Sequence, residues 1–185
     1  APPTPTPSAT TASDPNESVC GLAPGPVEPA AVAPSTDWQL KGGYAYPTSR
    51  SLGPGTTTTG VGSCFAHSTQ GAVMAAGAFV VDVSTRTPAS LDAIRDRLRN
   101  KTSADRRSWR KLATMPSGTP IAAQIAGFRV LDASTNSVSL ELLLEIDAKY
   151  ASIPYVFEWI DGDWRAATPS GRGIGRGEAD PFGSG

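Results

Sequence analysis

The only histidine, His67, stands directly before Ser68 in the stretch 64–82, CFAHSTQGAVMAAGAFVVD. A base beside a hydroxyl could suggest a nucleophilic centre. Neighbours in sequence seldom face one another, however, and a serine ahead of an apolar helical run serves best as an N-cap. His67 therefore reads as a polar contact that fixes the helix entry, or as a hydrogen bond at the mouth of a pocket. The chain has no C-x-x-C, H-E-x-x-H, G-x-S-x-G or P-loop. One histidine excludes multi-histidine metal sites.

Two charged sets remain. Glu141, Glu145, Asp147, Glu158, Asp161 and Asp163 crowd the C-terminal half. A buried pair among them could do acid–base work, but Glu141 and Glu145 alternate against leucines and so read as solvent-facing. Arg95, Arg97, Arg99, Lys101, Arg106, Arg107, Arg110 and Lys111 hold half of the 16 basic residues. In a chain of net charge -1 this is the one local asymmetry. It reads either as a solvated helical face or as an interaction patch (Arg95, Arg99, Arg106, Arg107, Arg110 and Lys111) for an acidic protein or a membrane surface. Trp109 is its only interleaved aromatic, so base stacking is not indicated and no nucleic-acid partner is expected. The glycine-rich 171–177, GRGIGRG, follows no strand into a helix and is not a phosphate loop.

Cys20 and Cys64 are the only cysteines. An even count behind a Pro/Thr/Ser-rich head predicts an exported protein with one disulfide, the alternative being two unpaired buried thiols. The bond would close a loop of about 45 residues, for about 4 kcal/mol in the chain-entropy model.

Residues 1–18 lack the apolar surface to offset ordering entropy and read as a spacer. A single domain is expected over 19–168, and a flexible Gly-rich tail over 169–185. Residues 19–63 read as an extended lead-in anchored by Trp38, with period-2 alternation at 38–40 and 44–46 that suits a short strand or extended strip. Next comes a helix, apolar nearly all round and hence buried. A second helix is expected from Pro88 or Ser90 to Asn100, and a third, capped by Ser103, ends at 115–118. The period then falls to two. Ile121, Ala123 and Ile125 share one parity, Phe128 and Val130 the other, and Gly127 marks a bulge. Val138, Leu140, Leu142, Leu144 and Ile146 face one way, and Tyr155, Phe157 and Trp159 alternate in a third strand. Asp161-Gly162 signals a tight hairpin, with Trp164 opening the last strand.

The segment SCFAHSTQGAVMAAGAF resembles a block found in secreted or membrane-tethered actinobacterial proteins carried with integrative and conjugative elements. Trp38, Leu40 and Gly42, the glycines flanking Pro54, and 163–165 (DWR) fit the same pattern, so the resemblance spans roughly residues 36–168. In layout the chain is also similar to the periplasmic domains of type IV secretion assembly factors (the VirB eight class and TcpC). The resemblance implies an extracytoplasmic scaffold among envelope proteins, with an anchor lying outside this sequence.

Helices followed by antiparallel strands give an α+β order. The fold expected is a cone of the nuclear-transport-factor-two-like kind, with helices packed on a bent antiparallel sheet. The alternative is an open sheet without a cavity. The chain reads as a non-enzymatic, cofactor-free interaction domain. The competing reading is a small-ligand binder or enzyme using the cone's cavity, lined by His67, Phe128, Tyr155, Phe157 and Trp159.

Overall fold

A computed structural model describes residues 14–30, 32–114 and 123–167. Its centre is helix α1 (Thr69–Ser84), in which nearly every residue from Thr69 to Asp82 is buried. Ser68, in extended backbone, caps it by accepting a 3.0 Å hydrogen bond from Gly71 N. Ala72, Ala75, Ala76 and Ala78 keep the helix surface low, while Met74, Phe79 and Val81 fill the space around it. Burial all round follows from apolar composition all round.

A six-stranded sheet curls about this helix as a half-barrel, in the order β1-β2-β5-β6-β7-β8. The strands are β1 (Asp37–Lys41), β2 (Tyr44–Thr48), β5 (Ala123–Ser134), β6 (Ser137–Ile146), β7 (Lys149–Ile160) and β8 (Asp163–Ala167). A small separate hairpin, β3 (Thr56–Thr58) with β4 (Val61–Ser63), lies between β2 and α1 in sequence. Strands β5 to β8 form the expected meander. Val138, Leu140, Leu142 and Leu144 turn into the core, as their alternation requires. Asp161 and Gly162 both take positive φ, 52° and 76°, in the two-residue turn from β7 to β8. Gly42 and Gly43 do the same between β1 and β2, at 56° and 87°. These are the primed turns whose twist suits a hairpin.

The expected cone is not what forms. The lead-in forms strands where 38–40 and 44–46 alternate. It makes the β1–β2 hairpin, which joins the meander through a parallel pairing of β2 with β5. That addition widens the sheet into a half-barrel instead of a cone of the nuclear-transport-factor-two-like kind. The second helix is also shorter than its pattern. A 3-10 turn (Pro88–Ser90) leads into α2 (Leu91–Asp96), which stops there. Arg97 to Arg99 run instead along β8, where Ala166 N donates to Arg97 O and Arg99 N donates to Ala166 O, both at 2.8 Å. A bond to the sheet edge outcompetes further helical bonds.

Helix α3 (Ser103–Thr114) begins with Thr102 as its cap, not Ser103. Thr102 Oγ1 accepts from Asp105 N at 3.0 Å, and Asp105 Oδ2 accepts from Thr102 N at 2.9 Å. This is a reciprocal box in which aspartate stands in for the usual glutamate. The expected stop at 115–118, residue Ile121 and the tail 169–185 lie outside the described residues. The packed chain starts before residue 19: Ser18 is buried, and Pro15 O accepts from Trp159 Nε1 at 3.0 Å. Trp38 is 58% exposed on the edge strand β1, so it is not the expected interior anchor. The bulge expected at Gly127 is present: the β5–β6 register shifts between Ile125 and Gly127.

Candidate functional site: a buried latch and an unpaired basic strip

The 64–67 segment, CFAH, is held from several directions. Asp163, first residue of β8, is buried and receives four donors. Its Oδ2 accepts from Cys64 N at 2.9 Å and Arg97 Nη1 at 2.6 Å. Its Oδ1 accepts from Phe65 N at 3.0 Å and Trp164 N at 2.9 Å. The Trp164 indole donates to Ala66 O at 3.0 Å. Arg97 is itself buried and lies 4.8 Å from the centre of the Phe65 ring. A buried ion pair of this kind holds only because further hydrogen bonds satisfy its carboxylate.

His67 is part of the same latch. Its ring stacks on Trp159 at 4.0 Å and 9°. Its Nε2 lies 2.6 Å from Thr135 O. A carbonyl only accepts, so Nε2 carries the proton. The backbone O of His67 accepts from Gly25 N at 3.0 Å. Cys64 bonds to Cys20, with Cα atoms 6.1 Å apart. The disulfide thus ties the N-terminal segment to the same four residues, and Ser68 next to them is spent as the helix cap. The expected role of His67 in fixing the helix entry matches this geometry.

The residues expected to share a pocket are dispersed. Tyr155 and Phe157 pack edge-on against Phe79, with ring centres 6.0 Å and 6.2 Å apart, inside the core. Burial pushes the Tyr155 hydroxyl well above its ordinary pKa. His67 and Trp159 stack at the latch. Phe128 borders a separate cleft, together with Trp38, Met74 and Leu142. The interior that was to be a cavity is filled by α1.

The carboxylates are equally committed. Glu141 pairs with Arg129, and Glu145 accepts from Gln124 at 3.0 Å. Asp147 and Asp161 occupy turns at positive φ. Glu158 accepts from Arg99 at 2.6 Å and Lys101 at 3.1 Å. Desolvation alone would raise the Glu158 pKa, but the hydrogen bonds from Arg99 and Lys101 outweigh it and hold it below the usual carboxylate range. Asp82, on α1, goes the other way. Burial raises it, although Lys41 at 2.6 Å and Gly62 N at 3.0 Å both act to lower it.

The basic cluster divides into two halves with different fates. Arg97 is locked to Asp163. Arg99 makes a two-pronged contact with Asp105, at 3.2 Å and 3.1 Å, besides its bond to Glu158. Those hydrogen bonds, Asp105 first and Glu158 next, keep Arg99 firmly protonated. Lys101 shares Glu158, and Arg95 lies 3.1 Å from Asp92. These four are neutralised locally. Arg106, Arg107, Arg110 and Lys111 are not: all are exposed on α3, and among the described residues none makes an ion pair. Trp109 and Leu112, on the other side of α3, pack against the core. The amphipathic helix therefore lays four adjacent cations on its outer face, at i, i+1, i+4 and i+5. Of the expected patch, Arg95 and Arg99 belong to the neutralised half.

Sequence reasoning missed Asp163 and Arg97 as a pair. Arg97 sat in a run of charges that read as solvated helix. The signal was the charged pair inside an otherwise apolar latch, which shows only once β8 is placed beside Cys64.

Fold and site together define a disulfide-latched α+β domain that presents an exposed basic helix. The disulfide between Cys20 and Cys64 points to an oxidising, extracytoplasmic compartment. Among the described residues, no helix is long and apolar enough to cross a membrane. The chain belongs to the DUF8175 family, described as a domain of unknown function, whose model matches residues 1–181. No curated protein and no solved structure matches it.

Proposed function

We propose that this protein is a non-enzymatic interaction domain that works outside the cytoplasm, either secreted or anchored to the cell surface. It docks through α3 onto an acidic surface of another envelope protein. The observation that carries this is the division of the basic cluster: Arg95, Arg97, Arg99 and Lys101 each pair with a carboxylate, two of them at the surface, while the four neighbours on α3 make no ion pair among the described residues. Unpaired like charges at i and i+4 cost an isolated helix roughly 0.2–0.5 kcal/mol per pair. An acidic partner converts that cost into long-range attraction and faster encounter. The resemblance to proteins of conjugative elements supports placing that partner in a conjugative envelope complex of the type IV secretion kind.

The test is crosslinking in the native host, followed by identification of the captured proteins. Wild-type protein is expected to capture envelope secretion components. The variant carrying Arg106→Glu, Arg107→Glu, Arg110→Glu and Lys111→Glu is expected to lose them while remaining folded. Capture that is indifferent to this reversal would remove α3 from the interface. Unchanged plasmid or element transfer in a deletion strain would remove the conjugative role.

A further inference from the structure

The sheet opens at one point, and the opening is lined as a binding site. Strand β2 pairs with β5 in parallel over only two positions, Tyr44 with Ala123 and Ala45 with Gln124. Beyond them two features stop the ladder. Pro47 in β2 has no N–H to give, and β5 bulges at Ala126, which has no partner in the β6 register. The strands part, and behind the gap α1 presents Gly77. A Cβ at that position would meet Ile125 Cδ1 at 3.1 Å. Gly77 therefore adds no side chain to the gap, which Val73 and Met74 of the same helix line instead.

What remains is a cleft of about 130 Å3. Met74 and Leu142 form its floor, Val73, Ile125 and Phe128 its walls, and Trp38 its lip. Among the described residues that line it, Thr36 carries the one hydroxyl and none is charged. Its size is close to that of engineered apolar cavities, on the order of 150 Å3, that take up a single aromatic ring. Trp38 is 58% exposed at the rim, a large apolar surface with water on one side. Ala126, at the bulge, lines the cleft too, and Thr36 brings a hydroxyl.

We propose that this cleft binds a small uncharged molecule, one aromatic ring or a branched aliphatic group of that size, carrying a single hydroxyl or amide. The apolar part enters between Met74 and Phe128, Trp38 covers it, and the polar group meets the Thr36 hydroxyl. A charged ligand is disfavoured because no charged side chain among the described lining residues would replace its lost hydration. The site is distinct from α3 and stands independently of the docking role given to that helix.

The probe is para-cresol, one ring with one hydroxyl, and its charged counterpart is benzoate. Methyl carbon–proton spectra of the full chain are recorded during titration of each. Saturable shifts confined to Met74, Val73, Ile125 and Leu142 with para-cresol, and none with benzoate, are expected. Gly77→Leu should abolish them by filling the floor. Should that variant fail to fold, Trp38→Ala at its exposed position should keep the fold and weaken the apparent Kd about tenfold. Shifts that do not saturate, that map elsewhere, or that match for both probes overturn the proposal. So does equal binding by Trp38→Ala, which would mark para-cresol as an adventitious additive only. Through-space contacts between these methyls and another segment of the chain, before any probe is added, would show the cleft already filled and overturn it too.

Discussion

At the scale of single residues, Asp163 carries the greatest consequence. Its carboxylate answers two backbone N–H groups of the 64–67 segment, its own neighbour Trp164, and the buried guanidinium of Arg97. Asp163→Asn keeps the shape but removes the charge that balances Arg97. Breaking a buried pair by removing one partner costs about 3–5 kcal/mol, so urea denaturation should register a loss of that order. Adding Arg97→Met should recover part of it, because the stranded cation is then gone. If the two losses simply add, the pair is not coupled.

Two further carboxylates make opposite contributions to the pH dependence of stability. Glu158 is held below the usual range in the fold, so its contribution is complete above the ordinary carboxylate pKa and is lost as pH falls through the lowered value. Asp82 is raised by burial, so its contribution is complete below the ordinary value and is lost as pH rises through the elevated one. Thermal melts across the acidic range should therefore show Glu158→Gln flattening the lower limb of the curve and Asp82→Asn flattening the limb above it. The same flattening from both variants would mean that the two carboxylates are shifted in one direction, against their opposite surroundings.

At the scale of elements, α3 and the segment before it test how the basic cluster is divided. Arg107→Glu turns a repulsive i,i+4 pair with Lys111 into an attractive one. It should leave the melting free energy within about 0.5 kcal/mol of wild type, on the stabilising side. Arg99→Ala removes the two-pronged contact with Asp105 and the bond to Glu158, and should destabilise clearly. If Arg107→Glu were the more damaging change, the outer face of α3 would be structural after all.

The same elements show what a sequence makes legible. Helix α1 could be read because its apolar surface goes all the way round, and β6 because Val138, Leu140, Leu142 and Leu144 alternate without a break. The β7–β8 turn was written in Asp161-Gly162, where two positive φ values are needed. The partnership of β2 with β5 left no such trace: it joins residues 44–45 to 123–124, and neither pattern names the other. The end of α2 was equally hidden, since Arg97 to Arg99 leave a sound helical pattern for the edge of β8, a non-local choice. At the site, the disulfide was legible from composition. Most of the neutralised half of the basic cluster was not: Arg95 has Asp92 three residues away, but Asp105, Glu158 and Asp163 reach Arg97, Arg99 and Lys101 only on folding.

At the scale of the whole molecule, the two edges of the half-barrel are treated differently. The β8 edge is covered by Arg97 to Arg99. The β1 edge is free among the described residues and carries Trp38 and Leu40 in solvent. A free edge with apolar side chains is where strands of other chains would add. Its shortness, Asp37 to Lys41, and the charged residue at each end limit that tendency.

The disulfide has a mechanical meaning as well. A pull on the N-terminal end reaches Cys20 and passes by the covalent bond straight to Cys64, at the mouth of the core helix. The β1–β2 hairpin, which lies between those two cysteines in sequence, is left out of the load path. In a single-molecule stretching experiment the oxidised protein should unravel with a contour length short by about 16 nm, taking about 3.6 Å for each of the 44 residue steps that stay looped. Reduction should restore that length and let the lead-in peel away first. A protein moored at that end would bear tension through its most deeply buried helix.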